Sequence, residues 1–271
     1  MSNVCTAVVC LLVAMAWPRV ALAQRFDTIS IKPSQSTDRR SARLRVLANG
    51  DLSASGVHVV ELVYYAYDVP LNPSPRFSSV HEVRETYDIE AKAPAMPPGL
   101  SAREQRSRMQ AMIRGLLADR FKLVMRIDQT MMPVYALTVA SGGPHLEKSA
   151  IAVKDCVVDT RSPDSCRRFA MGWGHPLTAS AIDMDDLALY IEHWTDRPVV
   201  NRTALDGLFA TATEGWKPQR LPPPPPGAAR VNFDDLPPIF TVLRKLGLEL
   251  KQEEAAVPVY TVERIERPAI E

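Results

Sequence analysis

The chain has 271 residues, 46% hydrophobic and 23% charged, enough for a packed core in one large or two small domains. Its 32 basic and 31 acidic residues nearly cancel, which excludes a global electrostatic pull toward nucleic acid or anionic membrane. The 23 prolines gather between apolar stretches and mark rigid connections rather than a disordered chain.

Residues 1–23 read as a signal peptide. Val4 to Ala16 is an apolar run too short to span a bilayer comfortably. Ala21-Leu22-Ala23 then gives a small-x-small cleavage pattern that starts the mature chain at Gln24. No Lys or Arg precedes the run, so an uncleaved anchor is the alternative. No later stretch approaches the roughly 18 apolar residues that a spanning helix needs. Cleavage removes Cys5 and Cys10. It leaves Cys156 and Cys166, an even pair in an exported chain, expected to close a disulfide. Two cysteines with no nearby His cannot supply the four ligands of a structural metal site.

The first half spans residues 24–147. Phe26 to Ile31 alternates apolar and polar residues, a strand ended by Pro33. Leu44 and Val46 mark a second strand, Asn49-Gly50-Asp51 a turn, and Leu52 to Val57 a third strand. Val59, Leu62, Val63 and Ala66 follow i, i+3, i+4, i+7, so a helix runs to about Tyr67, where Pro70, Pro73 and Pro75 break the chain. Tyr87 to Ala91 is again a strand. Ser101 and Glu104 form a capping box, and Met109, Met112, Ile113, Leu116 and Leu117 mark the buried face of the helix it opens. Arg103, Arg106, Arg108, Arg114 and Arg120 are expected on its solvated face, and Arg39, Arg40, Arg43 and Arg45 in a solvated strand and loop. Phe121, Leu123 and Met125 alternate with charged residues. They predict a strand with Val134 to Val139 as its antiparallel neighbour and Pro133 at that neighbour's start.

Residues 148–165 connect the halves, and the second half spans 166–271. Leu177 to Ile182 is a strand and Asp183 an N-cap, with Met184, Leu187, Ala188, Ile191 and Trp194 on the buried face of the next helix. Arg197 to Val200 and Leu208 to Thr213 supply strands. Residues 218–230, with five consecutive prolines, form a stiff polyproline insertion. Asp235, with Pro237 just inside, is expected to open a last helix over Ile239, Phe240, Leu243 and Leu246. Leu248 and Leu250 begin one strand, and Val257 to Ile265 forms another.

Leu52-Ser-Ala-Ser-Gly-Val-His-Val-Val-Glu-Leu62 recurs 125 residues later as Leu177-Thr-Ala-Ser-Ala-Ile-Asp-Met-Asp-Asp-Leu187. Pro133-Val134-Tyr135 recurs at the same offset as Pro258-Val259-Tyr260. The expectation is a tandem duplication of a half-domain with short, mainly antiparallel strands and two helices per half, an α+β fold.

No Gly-x-Ser-x-Gly elbow, Ser-x-x-Lys pair, phosphate loop or dinucleotide fingerprint occurs. His81-Glu82-Val83-Arg84-Glu85 departs from the zinc-protease helix at its second His. Asn201-Arg202-Thr203 is a formal glycosylation sequon. No catalytic, metal-ligating or cofactor-binding residue is assigned. The candidate binding surface is His58 with Tyr64, Tyr65 and Tyr67 on the first repeated helix, and Trp194 at the end of its counterpart.

Several strings coincide in order with one family: Phe-Asp-Thr-Ile-Ser-Ile-Lys-Pro (26–33), Tyr-Asp-Ile-Glu-Ala-Lys-Ala (87–93), Leu-Leu-Ala-Asp-Arg-Phe-Lys-Leu (116–123), Arg-Pro-Val-Val-Asn-Arg-Thr-Ala-Leu-Asp-Gly (197–207) and Val-Glu-Arg-Ile-Glu-Arg-Pro (262–268). The chain resembles the soil-associated, exported bacterial proteins built on a domain of unknown function and abundant in acidobacteria. Relatives carry a similar domain behind β-lactam-regulator-type sensor metallopeptidases. The strand–helix unit also resembles the short N-terminal domain of secretins and TonB-dependent receptors. Where that family has a small hydroxyl residue capping the first repeated helix, His58 stands here. The resemblance implies a secreted or periplasmic protein, expected to be a non-catalytic binding, interaction or sensing module of the cell envelope. Its partner would be an envelope protein or a small extracellular ligand. The alternatives are a hydrolase with its site in the groove between the halves and a purely structural envelope protein.

Overall fold

The computed structural model describes residues 25–35, 41–69, 74–79, 85–162, 164–170, 172, 174–221 and 232–269. The leader, Arg39, Arg40, Pro70, Pro73, His81 to Arg84 and most of the polyproline insertion lie outside the described residues. The first half runs β1 (Thr28–Pro33), β2 (Arg43–Val46), β3 (Leu52–His58), α1 (Val59–Tyr67), β4 (Phe77–Ser79), β5 (Thr86–Lys92), α2 (Ala102–Phe121) and β6 (Val124–Val139). The connector adds β7 (Glu147–Lys148), a single 3-10 turn (Val153–Asp155) and β8 (Val158–Asp159). The second half runs β9 (Ala179–Ile182), α3 (Met184–Glu192), β10 (Val199–Asn201), β11 (Phe209–Thr211), α4 (Ile239–Lys245) and β12 (Leu248–Arg264). The fold is α+β with mainly antiparallel pairing.

The strands make three sheets, ordered β1-β5-β3-β2-β8, β10-β6-β12-β4 and β7-β11-β9. Period-two alternation explains the first: Tyr87, Ile89 and Ala91 of β5 are buried, and Asp88, Glu90 and Lys92 point outward. Gly50 closes the β2–β3 turn at φ 94, and a side chain there would meet Met96 at 2.9 Å. One core cluster joins β3, α1, β5 and α2 around Leu52, Leu62, Ile89, Met112 and Phe121. A second joins β9, α3 and α4 around Ile182, Leu187, Val242 and Trp216. The middle sheet spans both halves. β6 and β12 are antiparallel, and each takes its outer neighbour in parallel from the other half, β10 beside β6 and β4 beside β12.

Four expectations are corrected. The two strands expected over 121–139 are one continuous strand, β6, whose antiparallel partner is β12 rather than its own neighbour in sequence. Leu248–Arg264 is likewise one long strand. No Gly, Pro or Asn interrupts 126–132, and neither Pro133 nor Pro258 removes a bond between the two long strands. The last helix is capped at Pro238, not Asp235, and holds only seven residues. The arginines of α2 are not all solvated: Arg106 is 4% exposed.

Cys156 and Cys166 are disulfide-bonded, with Cα atoms 5.7 Å apart. They pack with Ala102, Ala181 and Leu208 and so fasten the connector over the start of α2 and the third sheet. Arg43 and Arg45 converge on Asp159 of β8, the Arg43 Nε–H donating at 3.0 Å.

Candidate functional site

The site starts at the C-terminus of α1. A helix leaves its last carbonyls unpaired, and cations are favoured there. α2 crosses this end and presents Arg106, Gln110 and Arg114, spaced four apart and therefore on one stripe. Gln110 Nε2 donates to the Tyr65 carbonyl at 3.2 Å and Arg114 to the Ala66 carbonyl at 2.7 Å. Arg106 grips Asp68, the left-handed cap of α1, with Nε at 3.1 Å and a terminal nitrogen at 2.6 Å.

The other terminal nitrogen of Arg106 reaches the second half. It lies 3.0 Å from Asp183 and 2.6 Å from Asp186. These two carboxylates form the capping box of α3: the Asp186 N–H donates to Asp183 at 2.7 Å and the Asp183 N–H to Asp186 at 3.0 Å. One guanidinium thus ties α1, α2 and α3 together. Burial pushes the Asp186 carboxyl up to about 7, Arg106 opposing and the Asp183 charge adding to the rise. Burial would raise Asp183 too, but the Arg106 and Arg167 charges and the Asp186 N–H outweigh it and hold it below the usual aspartate range. One carboxyl of the pair therefore keeps a proton close to neutral pH.

A second buried ion pair joins the halves beside this cluster. Both nitrogens of the Arg76 fork donate to Glu192 at the end of α3, at 2.8 and 2.7 Å, and the Val199 N–H donates to the same carboxylate at 3.1 Å.

Beside these pairs opens a cavity of about 270 Å³, lined by Ala66, Tyr67, Asp68, Arg76, Gln110, Arg114, Ile127 and Tyr260. The Tyr67 and Tyr260 rings meet edge to face, centroids 5.7 Å apart, and the Arg114 guanidinium lies 5.6 Å from the Tyr67 centroid. Burial raises both phenols above the ordinary tyrosine value.

Of the residues expected to form a binding surface, Tyr67 alone lines this cavity. Tyr64 packs edge-on against Phe77, centroids 5.4 Å apart. Tyr65 packs on the first core cluster. His58 caps α1, half-buried, with its Nε2 lacking a hydrogen-bond partner. Trp194 lies elsewhere, against His175 at 4.1 Å. The sequon is occupied internally: Asn201 donates to Asp185 at 2.7 Å and accepts from Thr203. Sequence reasoning missed Arg106, Gln110, Arg114 and Tyr260. The first three each stand three residues before an apolar face residue (Met109, Ile113, Leu117), a spacing that places them on the rim of the buried stripe rather than opposite it.

Among the described residues no helix is long and apolar enough to cross a membrane, and no cluster of three or more His, Cys, Asp or Glu could hold a metal ion. The family profile described as a protein of unknown function (DUF3738) matches residues 60–265. No curated protein and no solved structure matches the chain.

Proposed function

The chain belongs to that DUF3738 family of proteins of unknown function, and from this premise we propose that it is an exported, non-catalytic binding module that takes its ligand at the Tyr67–Tyr260 cavity. The observation that carries the reading is how the charges of the cavity are used. Asp68 is held by Arg106 and Arg76 by Glu192. Among the described residues the one carboxylate of the lining, Asp68, is paired, and the lining also holds two phenol rings, Ile127 and the Arg114 guanidinium. Aromatic faces beside a guanidinium suit an apolar or aromatic group that carries a negative charge. A small extracellular ligand, or an acidic segment of an envelope protein that also carries an aromatic side chain, has that chemistry, and a sensing role in the envelope would use the same cavity.

Export is supported by the disulfide, which belongs to an oxidising compartment. The same proposal keeps the two halves as copies of one unit. Supporting it, β3-α1-β4-β5-α2-β6 and β9-α3-β10-β11-α4-β12 share one order. Tyr135 and Tyr260, 125 residues apart, each face the first residue of a parallel neighbour, Val199 and Phe77.

Thermal-shift screening of aromatic carboxylates and short acidic peptides tests the binding reading. A ligand should raise Tm of the parent by several degrees and leave Tyr260→Ala, itself melting near the parent value, unmoved. Turnover of ester, peptide or phosphoester substrates, or a ligand shift that survives Tyr260→Ala, would overturn it.

A further inference from the structure

Among the described residues the N-terminal stretch of strand β6 has a free edge. On its β10 side the Tyr135 N–H donates to the Pro198 carbonyl and the Arg202 N–H to the Leu137 carbonyl, each at 2.8 Å. Odd-numbered residues of β6 therefore direct their backbone groups to that side, and the pairing with β12 runs without a register shift back to Met125. β10 begins opposite Tyr135. Over Val124 to Pro133 the N–H and C=O groups of Met125, Ile127, Gln129 and Met131 thus face outward, with no strand beside them among the described residues. Ile127 is 51% exposed and Met131 62%.

An open edge of this length normally carries charges that oppose pairing. The free stretch of β12 does: it holds Lys251, Glu253 and Glu254, and self-pairing about Glu254 would set like charges opposite each other. On β6 the arrangement is reversed. Arg126 and Asp128 flank Ile127 and share the other face of the strand, ion-paired to each other, and Arg126 also holds Glu263 at 3.0 Å.

We propose that two copies of the chain pair antiparallel through this edge, on a twofold axis at Ile127. In that register each Arg126 stands directly opposite the partner's Asp128 at the closely spaced, non-hydrogen-bonded positions. Two cations and two anions then alternate around the axis. Ile127 meets the partner's Ile127 on the other face, and Met125 meets the partner's Gln129. The two middle sheets become one continuous sheet. Because Ile127 also lines the Tyr67–Tyr260 cavity, the two cavities come to lie on either side of the axis, each with the partner's Ile127 at its mouth.

Sedimentation velocity of the purified chain is expected to show a species of twice the chain mass that dissociates on dilution. Ile127→Cys is expected to crosslink two copies under mild oxidation, because facing residues of a hydrogen-bonded antiparallel pair have Cα atoms about 5.5 Å apart, within disulfide reach. Met131→Cys, though more exposed, faces the partner's Leu123 and stays uncrosslinked; Cys5 and Cys10 are changed to Ser wherever the leader is retained. Arg126→Glu alone and Asp128→Lys alone each set like charges opposite and should sediment as monomers. An equimolar mixture of these two variants should recover the dimer, since every facing charge is then opposite again, a rescue that a misfolded variant cannot give. A chain monomeric at every concentration, crosslinking at Met131 as strong as at Ile127, or single variants that dimerise unaided would each overturn the pairing. So would protection of the β6 amides from hydrogen exchange only when an unrelated extended polypeptide is added. Ligand binding by the cavity is read separately through Tyr260→Ala, so loss of one reading leaves the other standing.

Discussion

Arg106 gathers Asp68, Asp183 and Asp186 on one guanidinium that is 5% exposed. A buried pair adds little net stability while intact, but removing one partner leaves the others charged and unpaired. Arg106→Met should therefore cost about 3–5 kcal/mol in urea unfolding; a loss under about 1 kcal/mol would mean water already reaches the cluster. Asp186 gives the cluster a pH dependence. It faces Arg106 from α2, Asp183 at the cap of its own helix, Tyr65 from α1 and Arg167 from the loop before β9, and it shares Arg106 with Asp68. Its folded value, about 7, lies above the ordinary 3.8, so between the two the folded chain holds a proton that the unfolded chain has released. Stability should then fall as pH rises through that window, on the order of 2–4 kcal/mol in total. Asp186→Asn keeps an oxygen for the Asp183 N–H and should flatten the fall; an unchanged slope in denaturant titrations between acid and neutral pH would refute the assignment. The depressed Asp183 acts only below 3.8, where its stabilisation is lost. The sequence displays Asp183 as a helix cap, which it is. It hides the other role of Asp183 and Asp186 because the arginine that meets them stands 77 and 80 residues earlier.

The helices were more legible than the strand at the centre of the molecule. α2 announces itself through Ser101, Glu104 and an apolar stripe, all local, and the Glu104 N–H does donate to Ser101 at 3.3 Å. β6 has no such local signature, because its partner is β12, more than a hundred residues on, and Pro133 looked like the start of a new strand. Strand geometry explains why it is not. Pro133 is odd-numbered, so its missing N–H faces the free edge; Pro258 of β12 is even-numbered, and its missing N–H likewise faces away from β6. Neither proline removes a bond between the two long strands. At the other end of this ribbon the turn after β6 packs on the turn into β12: the Ala140 N–H donates to Gly247 and the His145 N–H to Leu246, each at 2.9 Å. Gly247 has φ 69, and a methyl group there would run into the Gly143 carbonyl. Gly247→Ala should cost on the order of 3 kcal/mol, combining left-handed strain with a backbone clash. Hydrogen exchange should show the loss first in residues 136–140 and 248–252, and a variant as stable as the parent would mean the two turns part without penalty.

Neither half owns all of its strands. β4 finds its partner in β12 and β10 finds its partner in β6, while the few edge hydrogen bonds involved, roughly 1 kcal/mol net apiece, are small beside the two cores. What makes the exchange matter is that β6 and β12 each reach the core of the other half, through Tyr135 and Leu137 or Val262, and lie on one another along their full length. The ion pairs follow the same rule: Arg76 to Glu192 and Arg106 to Asp183 both run from first half to second. No local string shows this exchange, because it depends on pairing across the chain and leaves no mark in either local pattern. Unfolding should accordingly be one cooperative transition. Residues 24–147 produced alone lack β12 and β10 and leave the charges of Arg76 and Arg106 without their second-half partners; residues 148–271 lack the matching set. Each fragment is expected to show no sigmoidal melt by circular dichroism, and mixing the two under oxidising conditions should restore one near the temperature of the intact chain. A fragment that melts cooperatively by itself would show that the halves are independent domains, with the exchanged strands and the two buried ion pairs contributing only to how they dock.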